Sequence, residues 1–303
     1  MTYDGPLFLL SILIAEAAFG YPAWLVHPVA VVGRLIAMLD SRWNNGTHRR
    51  VMGTLVAVTL VVLGGGIGFA IERAAQGWSG AIAVILIGTT GLAQRSLHDH
   101  FAAVMRPLLV GNIDAARTAV SMIVGRDAEA LDASGIAAAA TETLAESFCD
   151  GVVAPALWFL LLGLPGLFVF KCISTADSMI GHLDDRHRDF GWASARTDDV
   201  MNWVPARIAG ALICIAGGRG WRVMVRDSGK HLSPNSGWPE SAMAGALGVQ
   251  LGGGAAYDGE WIARASLGDG ARPGAADLAR ALSIYRRACA ALWLMTGVLI
   301  WLR

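Results

Sequence analysis

Charged side chains are scarce in this sequence. Only 16% of its 303 residues are Asp, Glu, Lys or Arg, and 54% are hydrophobic, whereas soluble domains carry about 25% charged residues. So few charges cannot cover the water-facing shell of a soluble protein of this size. The 24 basic and 24 acidic residues balance, so no net charge favours nucleic acid as a partner. The composition predicts a multi-pass protein embedded in a lipid bilayer.

Two kinds of motif are also missing. The four cysteines, Cys149, Cys172, Cys214 and Cys289, lie far apart and form no CxxC pair. This spacing argues against a thiolate metal site or a disulfide framework. No GxxxxGK[ST] motif occurs anywhere in the chain. Any nucleotide site would therefore not be a P-loop.

Long uncharged runs give the first outline of the fold. Residues 51–71 are uncharged and match the ~20 residues that cross a bilayer. Residues 7–26 predict another membrane helix with Glu16 at its middle. An ionisable group at membrane depth is a candidate functional residue, although snorkelling to an interface is the alternative.

The remaining apolar runs are shorter or interrupted. Residues 78–93 are a short run, and residues 151–170 are broken by Gly163-Leu164-Pro165-Gly166, a turn signal that predicts two helices meeting in a hairpin. Residues 208–218 and 288–302 are shorter than a full span, which favours re-entrant, tilted or buried helices. The prediction is an all-α, polytopic membrane bundle with a broken-helix hairpin, forming one domain over residues 1–303.

Basic clusters predict the orientation. Arginine, lysine and histidine concentrate at residues 42–50, 186–196 and 219–230, and such loops face the cytoplasm. If all three share a side, the run at 208–218 cannot be a simple crossing. We therefore expect an inner (cell) membrane protein whose polar loops and active face are cytoplasmic.

Three acidic residues precede the hairpin at helical spacing. Glu142, Glu146 and Asp150 follow one another at i, i+4 steps, so one helix would carry them on one face. A solvated acidic surface would explain them. Because the series runs directly into an apolar hairpin, binding of a divalent cation is the better interpretation.

The far arm of the hairpin ends in a second polar group. Helical spacing puts Lys171, Ser174 and Ser178 on one side, with Asp177 adjoining it. A hairpin would bring this side close to the acidic residues that precede it.

Further polar blocks follow along the chain. Asp198 and Asn202 share a helical face and offer oxygen ligands suited to Mg²⁺, while helix capping by Asp198 or Asp199 is the alternative. Arg207 is suited to bind phosphate or carboxylate oxygens with two donors. Residues 233–237, Ser-Pro-Asn-Ser-Gly, could cradle an anion with backbone amides, although most such loops are only turns.

Taken in order, these blocks resemble the CobD/CbiB family, the adenosylcobinamide-phosphate synthases. The resemblance is carried by His27-Pro28-Val29 with Gly33-Arg34, Val124-Gly125-Arg126-Asp127, residues 142–152, 171–181 and 198–207, Ser233-Pro234-Asn235 and residues 240–247. The family usually has Asp-Pro where this chain has Tyr21-Pro22, and Asn-Thr where it has Ser174-Thr175. The first departure argues against a metal ligand in that loop, and the second against a role for Ser174.

The resemblance implies an ATP-dependent amide ligase. Such an enzyme joins a propionate carboxylate of adenosylcobyric acid to aminopropanol or its phosphate ester, and gives adenosylcobinamide or its phosphate. ATP would activate the carboxylate as an acyl phosphate, while Mg²⁺ and basic side chains neutralise the phosphates. Other enzymes of cobalamin biosynthesis are possible partners.

Site roles follow from the resemblance. The expected pool of metal ligands is Glu142, Glu146, Asp150, Asp177, Asp198, Asp199 and Asn202. The expected catalytic residues are Glu146, Lys171, Asp177, Arg207 and His27, and the expected cofactor-binding residues are Arg126, Asp127, Ser233 and Asn235. Lys171, Arg126 and Arg207 would clamp phosphate or carboxylate groups. His27 or His182 would accept the proton of the amine, although a structural histidine is the alternative for either.

Two other classes of protein compete with this interpretation. A membrane transporter or permease for a corrinoid or another anionic substrate would also use intramembrane carboxylates and broken helices. Against it, no inverted repeat is visible and the polar blocks fall on one predicted side. A prenyltransferase-like enzyme ranks lower because the pair Asp198-Asp199 has no second aspartate-rich block.

Overall fold

The protein is almost entirely helical. The computed structural model describes residues 4–22, 24–257 and 260–302. The helices are α1 Gly5–Phe19, α2 Pro28–Trp43, α3 Arg49–Ala74, α4 Gly77–Thr89, α5 Gln94–Leu109, α6 Ile113–Ser121, α7 Ala133–Phe148, α8 Ala154–Ile180, α9 Trp192–Gly217, α10 Trp221–Asp227, α11 Gly237–Leu247 and α12 Ala275–Trp301. The prediction of an all-α membrane bundle is confirmed.

Four helical stretches are long and apolar enough to cross a membrane. They are Arg49–Ala74, Gly77–Leu109, Ala133–Ile180 and Trp192–Gly217. The first contains the predicted span at 51–71. The helix predicted over 7–26 is shorter than expected, since α1 ends at Phe19, before Gly20 at φ 63°.

The prediction that residues 208–218 form a separate short run is wrong. These residues are the second half of α9, which is 26 residues long and passes through Pro205. A proline removes the N–H that would bond the carbonyl four residues earlier, here Met201. The indole Nε1 of Trp158 donates to that carbonyl oxygen at 3.1 Å. Residues 288–302 likewise belong to the longer helix α12, of 27 residues.

Residue contacts divide the chain into two compact units. The first contains residues 1–93, 154–202 and 296–303, and the second contains residues 94–153 and 203–295. Each unit is assembled from segments distant in sequence. The expectation of a single domain stays a prediction.

The predicted hairpin lies in the first unit and is confirmed. Within α8, Gly163 adopts φ 66° and ψ −150°, which no helix contains. A Cβ atom on Gly166 would meet the carbonyl oxygen of Trp158, whereas eight residues of straight helix would separate the two by about 12 Å. The chain therefore reverses at Gly163 into two arms.

The break at Gly163 leaves an amide that needs a partner, because the second arm starts without a preceding helical turn. The carboxylate of Glu72 accepts from the Leu164 N–H at 2.7 Å. Glu72 is near the end of α3, so one side chain satisfies the start of the arm and joins it to the neighbouring helix.

Helix α3 packs closely along the second arm of α8. A Cβ on Gly68 would lie 2.5 Å from the Pro165 nitrogen, and one on Gly64 would lie 3.1 Å from the Phe168 backbone. Glycine at these positions permits the close approach of the two backbones. Further along, Leu60 and Ala176 belong to one buried apolar cluster.

Adding one methyl group at Gly68 should therefore destabilise the protein. We expect Gly68→Ala to lower the free energy of unfolding by about 1–3 kcal/mol, the usual cost of overpacking. Gly66→Ala is the matched control, because nothing lies within 4 Å of a Cβ there. It should be neutral or stabilising by up to about 1 kcal/mol. Thermal unfolding in detergent measures both, and equal effects would contradict the packing described.

The second unit adds short strands to its helices. Strands β1 (Leu251–Gly252) and β4 (Ser266–Leu267) pair antiparallel, as do β2 (Ala255–Tyr257) and β3 (Glu260–Ile262). The glycine-rich segment Leu251-Gly252-Gly253-Gly254 begins this region. In addition, a π-helix, Cys149–Val153, follows α7, and a 3-10 turn, Ser228–Lys230, follows α10.

Asp227, the last residue of α10, holds the backbone directly after strand β4. Its fully buried carboxylate pairs with Arg226 at 2.6 Å and with Lys230 at 2.6 Å, and it accepts from the Gly268 N–H at 2.8 Å. Hydrogen bonds from Arg226 and Lys230 hold the pKa of Asp227 well below its usual range, although burial opposes them. The ionised form is therefore the one that stabilises the fold.

Asp227→Asn should cost about 3 kcal/mol at pH 7, the effect of breaking a buried ion pair. Because the folded-state pKa is depressed, wild type keeps this advantage above the unfolded-state pKa of about 3.9. The advantage shrinks as the pH falls from there toward the folded-state value. The difference in melting temperature between wild type and variant, measured from pH 7 to pH 3, tests this. Asp269→Asn, at the exposed partner of Arg226, should change little.

Candidate functional site

The first polar cluster lies in the first unit, at the end of α8 and the start of α9. Asp198 has Lys171, Asp177 and Asp199 as its charged neighbours. Its Oδ2 accepts from Asn202 Nδ2 at 2.9 Å. Its Oδ1 is buried and has no hydrogen-bond partner among the described residues. A buried carboxylate oxygen without a donor indicates a position where a cation or a proton belongs.

The position where α9 starts excludes helix capping as the role of Asp198 or Asp199. Helix α9 begins at Trp192, so neither Asp198 nor Asp199 caps it, and the capping interpretation is wrong. Asp199 Oδ2 pairs with Arg196 Nη1 at 3.0 Å, where Arg196 is exposed and Asp199 is half-buried. Its assignment as a metal ligand stays a prediction.

Lys171 adjoins an apolar cavity of about 400 Å³. Val29 and Leu35 of α2, Leu60 and Leu63 of α3, and Phe168 of α8 contribute to its walls. Lys171 is the one charged residue that lines it among the residues described. An ammonium group beside an apolar cavity fits a ligand with an acidic group on an apolar body, which agrees with the predicted clamp role.

His27 begins α2 and is near Lys171. Its Nδ1 accepts from the Val29 N–H at 3.2 Å. Burial, and then the charge of Lys171, lower the pKa of His27. The ring is therefore neutral near pH 7, with its proton on Nε2. His27 accepts a substrate proton at Nδ1 only if it releases Val29. The alternative base, His182, follows α8 and lies against His187, with 6.1 Å between ring centroids.

The second polar cluster lies in the second unit and is built around Glu142. This buried carboxylate forms an ion pair with Arg126 and accepts from the Gly252 N–H at 2.8 Å. Arg264 Nη1 is 3.5 Å from the same oxygen that Arg126 contacts. These N–H donors engage both oxygens of Glu142. Arg126 thus has a partner inside the protein, while neighbouring Asp127 lies in the loop before α7.

The other two members of the acidic series differ from Glu142. Glu146 is exposed, and its Oε1 accepts from Ser236 Oγ at 2.9 Å. Asp150 lies in the π-helix, whose wider turn departs from i, i+4 spacing. The three residues therefore have three different environments, which the helical pattern did not predict. Their assignment as metal ligands stays a prediction.

Glu240 was not recognised by sequence reasoning as a site residue. It is fully buried in α11, with Oε1 3.5 Å from His231 Nε2 and Oε2 3.9 Å from Arg264 Nη2. Burial, followed by the charges of Glu146 and Glu142, raises the pKa of Glu240 well above its usual value. The available signal was a lone acidic residue opening the apolar run 240–247.

Two donors compete for the His231 ring. The Ser233 N–H donates to Nδ1 at 3.0 Å, and Arg264 Nη2 is 2.8 Å from Nε2. Burial, and then Arg264, lower the pKa of His231. A neutral imidazole accepts at only one nitrogen, so both contacts cannot be hydrogen bonds together. An anionic group that drew Arg264 away would relieve this conflict.

The turn at residues 233–237 uses its own amides. Ser233 Oγ accepts from the N–H groups of Asn235 and Ser236, each at 3.2 Å. Two amides that an anion cradle would need are therefore engaged within the turn. The roles of Ser233 and Asn235 in cofactor binding stay predictions.

Arg207 is held between two indole rings. Its guanidinium carbon is 4.0 Å from the Trp203 ring centroid and 4.6 Å from that of Trp238. Nη1 donates to the Trp203 carbonyl oxygen at 2.5 Å. Such stacking fixes the plane of the guanidinium. Its remaining donors are suited to an anionic group, in agreement with the predicted clamp.

A metal ion needs several donor atoms that converge on one point. Among the described residues, no group of three or more His, Cys, Asp or Glu side chains is arranged to hold one. Asp177, Asp198 and Asn202 nevertheless supply hard oxygen donors in one cluster. Mg²⁺ commonly uses only one or two carboxylates and takes its other ligands from water and substrate phosphates. These three residues fit that kind of site.

The Glu142 network can be tested apart from any activity. Glu142→Gln removes the charge that balances Arg126, whose side chain is only 8% exposed. We expect a loss of about 3–5 kcal/mol in the free energy of unfolding, because a buried cation is left unpaired. Glu129→Gln, at an exposed glutamate, is the matched control and should be neutral. Equal melting temperatures for the two variants would argue against a stabilising ion pair.

Known proteins resemble this chain over most of its length. The family model described as CobD/Cbib protein matches residues 9–285. A relative named cobalamin biosynthesis protein CobD, from Rhodobacter capsulatus, is 46% identical over 297 residues, covering 93% of each chain. Proteins of the same name from Brucella anthropi and Geobacter metallireducens are 43% and 42% identical, covering 97% and 90% of this chain and 96% and 89% of their own. No solved structure matches. The chain belongs to the CobD/Cbib family.

Proposed function

We propose that this protein acts in cobalamin biosynthesis as an ATP-dependent amide ligase. Its substrates would be adenosylcobyric acid and aminopropanol or aminopropanol phosphate, and its product adenosylcobinamide or adenosylcobinamide phosphate. Membership of the CobD/Cbib family supports the pathway. The observation that supports the chemistry is the cluster of Lys171, Asp177 and Asp198, where one buried carboxylate oxygen has no donor.

The proposed reaction has two steps. A propionate oxygen attacks the γ-phosphorus of ATP, ADP leaves, and an acyl phosphate forms. The amine nitrogen then attacks the acyl carbon, the C–N bond forms, and phosphate leaves as the nitrogen loses a proton. The carboxylate is a poor acyl donor without this activation, so the protein must stabilise phosphate charge.

The side chains can divide this work. Asp177, Asp198 and Asn202 would hold Mg²⁺, which would neutralise the phosphates when bound. Lys171 carries the positive charge proposed to orient the phosphate or the propionate in this cluster, and the clamp role of Arg207, in the second unit, stays a separate prediction. A neutral His27 can take the proton of the amine when it releases the Val29 N–H. This gives His27 two roles that alternate during turnover.

The use of ATP also predicts the side of the membrane on which the active face lies, because ATP is a cytoplasmic substrate. We propose that the protein lies in the cell membrane with its active face toward the cytoplasm. The basic clusters at 42–50 and 186–196 support this orientation, whereas the cluster at 219–230 follows the far end of α9. Adenosylcobyric acid reaches the same face from the enzymes that precede this step, which are possible partners.

A transporter remains the second candidate because helices break inside the first unit. Helix α1 ends at Phe19 and α2 starts at Pro28, while α8 breaks at Gly163. Discontinuous helices are common around the substrate sites of transporters. Such a protein would bind corrinoid without consuming ATP.

Amide formation by the detergent-purified protein is the test. We expect adenosylcobyric acid, aminopropanol phosphate and Mg-ATP to give a corrinoid amide with stoichiometric ADP. Asp198→Asn should lower kcat at least ~100-fold, the scale seen when one electrostatic group is removed from an active site. Asp185→Asn is the control, since the Asp185 side chain is 99% exposed, and should keep full activity.

Different failures have different meanings. Corrinoid binding without ATP consumption would favour the transporter. Amide formation that Asp198→Asn leaves unchanged would keep the ligase but remove Asp198 from its site. Replacing aminopropanol phosphate with aminopropanol in the same assay identifies the amine that the protein prefers. Melting temperatures of the variants show whether each is folded.

A further inference from the structure

The first unit contains a second cavity that the proposed reaction does not use. This cleft of about 600 Å³ opens where α3 ends and α4 begins. It is lined by Phe8, Phe69, Glu72, Arg73, Gln76 and Val84, with small residues between them. None of the predicted catalytic, cofactor-binding or metal-binding residues is among them. Its walls are apolar on one part and carry one acid, one base and one amide on the other.

The acid and the base are neighbours in sequence but are not paired with each other. Glu72 Oε1 accepts from the Leu164 N–H, and among the described residues its second oxygen accepts no hydrogen bond. Arg73 forms no ion pair with any carboxylate in the described part of the chain, and its guanidinium carbon is 5.9 Å from the Phe69 ring centroid. The cleft thus offers an acceptor and a cationic donor side by side.

Glu72 and Arg73 lie at the end of a membrane span, where a lipid headgroup would lie. Arg73 is in the last turn of α3, a helix long and apolar enough to cross a membrane. Trp78 follows within one turn of α4 and is 79% exposed, and tryptophan is enriched at the membrane–water interface. Charged groups at the end of a span meet phosphates and amines there, while Phe69, one turn earlier on α3 and 61% exposed, lies at the depth of acyl chains.

We propose that this cleft binds one zwitterionic phospholipid with a primary ammonium headgroup, phosphatidylethanolamine. Arg73 binds the phosphate, and the second oxygen of Glu72 accepts from the ammonium with the Gln76 side chain beside it. An acyl chain lies along Phe69. Because Glu72 also holds the start of the second arm of α8, the bound lipid steadies the hairpin.

Two comparisons select this lipid among the common ones. An anionic headgroup, as in phosphatidylglycerol, would satisfy Arg73 but would be repelled by Glu72. A phosphatidylcholine headgroup has the same charges, but its quaternary nitrogen has no N–H to donate to a carboxylate. The acid and base together therefore favour phosphatidylethanolamine over both.

Native mass spectrometry of the full chain in detergent, with each of the three lipids added at equal concentration, tests the proposal. We expect wild type to carry one phosphatidylethanolamine at least about fivefold more often than either other lipid, the scale of one well-placed charge. Glu72→Gln keeps an oxygen for the Leu164 N–H and should remove the preference over phosphatidylcholine. Arg73→Gln should reduce binding about fivefold or more.

Matched variants separate the cleft from general lipid contact. Arg42→Gln changes another exposed arginine in the last turn of a helix, α2, and should not alter lipid binding. Ala81→Phe fills the cleft and should abolish the adduct without a change of charge, whereas melting temperatures report whether each variant is folded. Equal binding of all three lipids, or a preference unaffected by Glu72→Gln and Ala81→Phe in folded protein, would overturn the proposal. The lipid assay does not depend on the ligase reaction.

Discussion

Within a bilayer no water replaces a missing backbone hydrogen bond, and this constraint governs where the helices can break. The first unit meets it with side chains. Glu72 accepts from the Leu164 N–H after the reversal at Gly163, and the indole of Trp158 donates to the Met201 carbonyl that Pro205 leaves free. The fold can thus interrupt the backbone hydrogen bonds of its helices because particular side chains supply the missing partners.

Glu142 of the second cluster and Asp198 of the first differ in how fully their carboxylate oxygens are hydrogen-bonded. In the second unit, Glu142 has a donor at each oxygen, from Arg126 and Gly252, so this charge is largely accounted for by structure. In the first unit, Asp198 keeps a buried oxygen without a donor. An unsatisfied buried carboxylate costs stability, and proteins retain such costs mainly where a ligand or a proton supplies the balance. Glu240 Oε2 in the second cluster is also buried without a hydrogen bond, but Arg264 lies 3.9 Å from it. We therefore base the proposed chemistry on Asp198, whose neighbours include two further carboxylates, Asp177 and Asp199.

The sequence predicted the elements that depend on local pattern. The span at 51–71 and the reversal at Gly163-Leu164-Pro165-Gly166 required only apolar length and turn residues. The length of α9 could not be predicted, because Asp198 or Asp199 was a candidate N-cap that would start a helix there, and the run 208–218 was judged on its own apolar length. For a similar reason, the sequence did not identify Glu240 as a site residue. Its neighbours His231, before α11, and Arg264, after β3, lie outside the helix that carries Glu240, so helical spacing holds no sign of them.

Departures from the family pattern also acquire a physical meaning. Where the family usually has Asp-Pro, this chain has Tyr21-Pro22, and the Tyr21 hydroxyl donates to the Val26 carbonyl at 2.9 Å. Its ring lies 4.4 Å from the His27 ring. Tyr21 therefore joins the two ends of this loop by a neutral hydrogen bond and an aromatic contact. Burial, and then the charge of Lys171, lower the pKa of His27, so the imidazole beside this loop is uncharged and able to accept a proton.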